Sequence, residues 1–264
     1  MKNLSKDFLT ISISLLLLVL LSWYYLYLIT LSMEAPSMNM DSSFDIFLMP
    51  MTGNWTMNDF IVMFLMWTIM MFAMMMPSTF VFLHVFGMMR SNMKSVKYPL
   101  LELYLISFTY ILIWVIFSIF ATLLQYYLHN MNMINMMGML KYEIFAGIAL
   151  ICAGVFQFSS LKNACLEKCR NPLSFIMGKK INNLNDVAKL GLVHGIFCLG
   201  CCWALMLLLF INGVMNLLWI VVLTIAILAE KILPFEKLTS RFFGALLVVW
   251  GAYLTFFNLC QSIH

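Results

Sequence analysis

The sequence predicts an all-α, polytopic transmembrane helix bundle of about seven spans, with the N-terminus inside and the C-terminus outside. Three observations predict it. Of the 264 residues, 64% are hydrophobic and only 10% charged, and the mean hydropathy is +0.97, so no aqueous domain of useful size is left over. The apolar residues gather into stretches close to the roughly 20 that a helix needs to cross the hydrocarbon core. The basic residues fall almost entirely into alternate connections between those stretches.

The predicted spans are 8–32, 60–86, 101–128, 144–159, 190–210, 217–229 and 242–259, forming one membrane domain over 1–264. The first follows Lys2 and Lys6, as a signal peptide would. Its apolar run of about 25 residues exceeds the 7–15 of a cleavable core, and no small-x-small site follows, so it is expected to be retained. Span two ends in a methionine-rich run before Pro77, which is expected to kink the helix or end its regular hydrogen bonding. In the connection 160–189, Asp186 is expected to cap span five. The sixth stretch is the shortest.

Orientation follows from Lys and Arg, which hold helix ends in the cytoplasm. With Lys2 and Lys6 inside, the even-numbered connections carry twelve more basic residues and only Lys141 is outside. The formal charge of +4 is thus a topology signal and not a nucleic-acid footprint. The outer segments 33–58 and 129–143 are rich in methionine. No phosphate-binding glycine loop or nucleotide motif is present, and a non-enzymatic role is favoured, with no catalytic residue singled out.

The chemistry concentrates in span five, LGLVHGIFCLGCCWALM. At about 100° per residue, His194, Cys198 and Cys201 fall within about 60° of one another and Cys202 lies at the margin of that face. Ionisable or soft groups at mid-membrane usually face a bundle interior or pathway, and Gly191 and Gly195 let a neighbouring helix come close. Cys165 and Cys169, one helical turn apart in SSLKNACLEKCRNP, are expected at the inner face, where Lys162, Lys168 and Arg170 favour thiolate. That places them about 15 Å from Cys201 and Cys202, half the core thickness. Met70 and Met74 form a thioether stripe at the same depth as the span-five cysteines. Single cysteines such as Cys152 and Cys260 behave as small hydrophobes, and His84, His129 and His264 are isolated. Glu230 and Lys231 close span six as a helix-end anchor.

Thiolate and thioether donors select Cu(I), with zinc or another thiophilic metal as competitor. Three soft stations then cross the bilayer: methionines outside, thiols and an imidazole midway, and thiols inside. The rival readings are a membrane thiol–disulfide oxidoreductase working through Cys201 and Cys202 or Cys165 and Cys169, and an accessory or scaffold subunit whose cysteines only pack.

The runs FSSLKNACLEKCRNPLSF and GLVHGIFCLGCCWALMLLLFINGVMN, the AEK at 229–231 and MWTIMMFAMMMP in span two resemble a prokaryotic family of predicted metal-binding integral membrane proteins, some described as copper-chaperone-like. The resemblance covers about residues 60–255. It implies a multi-pass protein of the prokaryotic cytoplasmic membrane, with Cys165, Cys169, His194, Cys198, Cys201, Cys202, Met70, Met74 and Glu230 in its motif. Its partners would be the lipid bilayer and a metallochaperone or membrane cuproenzyme, with no nucleic acid and a homo-oligomer left open.

Overall fold

The computed structural model describes residues 2–34, 55–91, 99–135, 138–179, 181–233 and 236–263. Among these the protein is helical, apart from turns and one isolated bridge between Ile134 and Leu140. The elements in chain order are α1 (Lys2–Glu34), α2 (Met57–Ser91), α3 (Pro99–Asn130), α4 (Glu143–Gln157), α5 (Ser160–Arg170), α6 (Pro172–Met177), α7 (Leu184–Leu207), α8 (Leu209–Asn212), α9 (Leu217–Ile232) and α10 (Glu236–Ile263). Most of the first outer segment and the side chain of Cys260 lie outside the described residues.

Among the described residues, five helices are long and apolar enough to cross a membrane: 9–31, 57–90, 100–130, 184–212 and 238–257. A sixth candidate is α4 with α5, two helices bent by 63° at a short break. α9, at 16 residues, covers roughly 24 Å at 1.5 Å per residue, less than the hydrocarbon thickness. The core is built from α2, α3 and α7. Half of the most apolar window of α2 is buried within the protein, against 22% for α1 and α10, which therefore lie at its edge.

α2 does not end at Pro77 but runs on to Ser91. Near the proline, the Met75 carbonyl accepts from Ser78 Oγ at 2.8 Å and from the Tyr110 hydroxyl at 3.2 Å. Two polar clamps hold α2 to α3. Toward one end, Trp67 Nε1 donates to Gln125 Oε1 at 2.7 Å. Toward the other, Arg90 makes a two-pronged pair with Glu102, both buried, the fork geometry that suits guanidinium and carboxylate.

The start of α7 corrects one expectation. The cap residue is Asn183. Asp186 sits three positions inside, its Oδ2 accepting from the Asn182 and Asn183 amides at 3.1 and 3.2 Å, which satisfies amides that would otherwise have no partner within the helix.

A larger departure concerns α5. The sequence places it at the membrane surface, yet it bends away from α4 and packs along α7, with Cys165 buried. Two of its basic residues are satisfied internally. Lys162, fully buried, pairs with Glu230 of α9 at 2.6 Å, and Arg170 donates to the Glu230 carbonyl at 3.1 Å.

Candidate metal centre

α7 brings His194, Cys198, Cys201 and Cys202 to the interior, all buried, as helical spacing leads one to expect. Glycines let the neighbours in. A Cβ at Gly191 would collide with Thr109 and the Ile106 backbone of α3, and one at Gly195 would press on Ile113. Further along, a Cβ at Gly200 would stand 2.9 Å from Cys165 Sγ, so α5 reaches α7 because that position carries no side chain.

The inner-face and mid-membrane thiols therefore do not sit half a membrane apart. Cys169 lies close enough to Cys198 and Cys201 for their thiols to interact. The depth expectation failed because it treated α5 as an emerging interfacial helix, whereas the Lys162–Glu230 pair lets α5 fold back against α7.

Each sulfur of the α7 cluster is held by the protein. Cys201 and Cys202 turn their thiols toward the Cys198 carbonyl at 3.1 and 2.8 Å. Cys202 Sγ also lies 3.9 Å from Met75 Sδ of α2. Cys198 Sγ accepts from Lys231 Nζ at 2.9 Å and lies 3.1 Å from the Tyr110 hydroxyl. The same ammonium donates to Ser78 Oγ at 3.0 Å. His194 stacks on Phe82 with ring centroids 3.9 Å apart, and its buried Nδ1 has no hydrogen-bond partner.

Met70 and Met74 are fully buried in the core, but the thioether in contact with a cluster sulfur is that of Met75. Lys231, expected as a helix-end anchor, points inward instead. Tyr110, Ser78 and Met75 are neighbours that sequence reasoning passed over, and Lys231 is one that it placed at the helix end. A tyrosine and a lysine inside apolar runs are the signals that would have found two of them.

Among the described residues, no group of three or more His, Cys, Asp or Glu side chains is arranged to hold a metal ion. The donors stand close together but are engaged by protein partners, so a metal must turn the thiols away from the Cys198 carbonyl before it can bind. The chemical character of the donors fits a soft ion: thiols from two helices, a thioether and an unpartnered imidazole nitrogen, while of the nearby Glu230 carboxylate Oε2 pairs with Lys162 and Oε1 is buried without a hydrogen-bond partner. The six described cysteines are free.

A family model described as PpoB2, copper chaperone, matches residues 64–254. No curated protein and no solved structure matches the chain.

Proposed function

The chain belongs to the PpoB2 copper chaperone family, and from that premise we propose that it binds Cu(I) inside the membrane and passes it across the bilayer or to a membrane-bound cuproenzyme. The observation that carries this reading is the approach of Cys169 from α5 to Cys198 and Cys201 of α7, with Cys202 beside the Met75 thioether. An ion held by sulfur from more than one helix can be handed on by exchanging one ligand at a time, and is never left bare in hydrocarbon. His194, Cys198, Cys201, Cys202, Cys165 and Cys169 are the proposed ligands. Met70 and Met74 are proposed to extend the thioether path along α2. Zinc or another thiophilic ion is the competitor, and a metallochaperone or cuproenzyme the recipient.

This function needs a protein that spans the bilayer. The reading takes seven spans in one membrane domain of a prokaryotic cytoplasmic membrane, N-terminus inside, with α9 as the short sixth. The basic-residue asymmetry supports it.

Anaerobic titration of reduced, purified protein against a chromophoric Cu(I) chelator tests the binding. Wild type is expected to take up Cu(I) stoichiometrically, and C201S/C202S to lose high-affinity binding while still inserting into the membrane, because serine keeps the size but not the soft thiolate. A folded double variant that retains stoichiometric Cu(I), or a wild type that binds none, would overturn the proposal.

The proximity of Cys169 to Cys198 and Cys201 also favours a second reading, thiol–disulfide exchange, in which two thiols join and release two protons and two electrons to a quinone-class acceptor. In that case thiol turnover, and not metal content, would fall in the double variant.

A further inference from the structure

The Lys231 ammonium lies against the sulfur cluster, 2.9 Å from Cys198 Sγ and 3.0 Å from Ser78 Oγ. The acid next to it in sequence does not claim it, since the Glu230 carboxylate is paired with Lys162 at 2.6 Å. A lysine near a helix end in a membrane ordinarily extends toward the interface. Here it turns to sulfur.

We propose that Lys231 is the specificity-determining counter-cation of this centre, making it electrically neutral with a monovalent soft ion and leaving an uncompensated charge with a divalent one. The proposal rests on the metal-binding reading above. Its logic is charge balance in a medium where an unpaired charge is costly. No three His, Cys, Asp or Glu donors converge among the described residues, so the site that needs least rearrangement is two thiolates, Cys198 and one neighbour. Two thiolates on Cu(I) carry one negative charge, which the ammonium cancels. The same two on Zn(II) are neutral, and the ammonium is left over. Zinc also prefers four ligands.

Before the ion arrives, the ammonium and the Tyr110 hydroxyl occupy the approaches to the Cys198 sulfur. Binding displaces the ammonium from direct contact but keeps it nearby. Lys231 thus acts through Cys198 as a positioning residue and is not itself a ligand.

The test is selectivity and not affinity alone. The ratio of Cu(I) to Zn(II) affinity is measured by chelator competition for wild type, K231M, K231Q and K231R in the full-length protein. The ratio is expected to fall by about tenfold or more in K231M and K231Q, while K231R, which keeps the charge, holds it near wild type. A merely structural role would weaken both metals together. An unchanged ratio in a folded K231M or K231Q overturns the proposal while leaving Cu(I) binding intact. A wild type that binds no Cu(I) overturns the underlying reading as well. Should both neutral variants fail to fold, the same competition is run on K231A and K231S, which also remove the charge, and an unchanged ratio in either overturns the proposal.

Discussion

Lys162 of α5 and Glu230 of α9 form an ion pair 2.6 Å long whose side chains are 0% and 3% exposed. It joins positions 68 residues apart and ties α5, the helix that carries Cys165 and Cys169, to the rest of the bundle. Removing one partner of a buried pair strands the other charge, at about 3–5 kcal/mol. K162M is therefore expected to lower the thermal stability of the detergent-solubilised protein sharply, and K162M/E230L to recover much of it. Equal losses in the single and double variants would show that the pair does not hold α5.

Gly200 is where α5 meets α7. A Cβ there would lie 2.9 Å from Cys165 Sγ, so G200A is expected to cost about 1–3 kcal/mol by overpacking. Adding C165A removes the sulfur and should return most of that stability. Additive losses in this double-mutant cycle, followed by thermal unfolding, would place the two residues out of contact.

The nearness of Cys169 to Cys198 and Cys201 predicts a chemical cross-link. With a membrane-permeant thiol oxidant, non-reducing peptide mapping should find Cys169 joined to Cys198 or Cys201. Were the two groups about 15 Å apart, no such bridge would form, since a disulfide needs Cα atoms within about 7 Å. Recovery of unlinked peptides after complete oxidation of other thiols would restore the depth assignment made from hydropathy.

Orientation is open to labelling. In a variant stripped of native cysteines, a cysteine placed at Lys179 should react with an impermeant thiol reagent only after the cells are opened, and one at His264 in intact cells. Reaction at position 179 from outside would reverse the topology.

Much of this architecture was written in the order of the amino acids. Each of the seven apolar stretches is helical over nearly all its length, because a chain this apolar satisfies its backbone within helices. The face shared by His194, Cys198, Cys201 and Cys202 follows from helical geometry alone, and all four are buried. Tertiary structure decided the rest. α5 contains charged residues and so reads as interfacial, yet an ion partner on a distant helix satisfies Lys162 inside the protein. The buried methionines of α2 are too numerous for spacing to single one out, and only the packing of α2 and α7 on α3 brings the Met75 thioether to Cys202. Lys231 has a flexible four-carbon stem that reaches either the interface or the interior. Its direction is set by the Cys198 sulfur and the Ser78 hydroxyl, partners on other helices that no local pattern in the chain records.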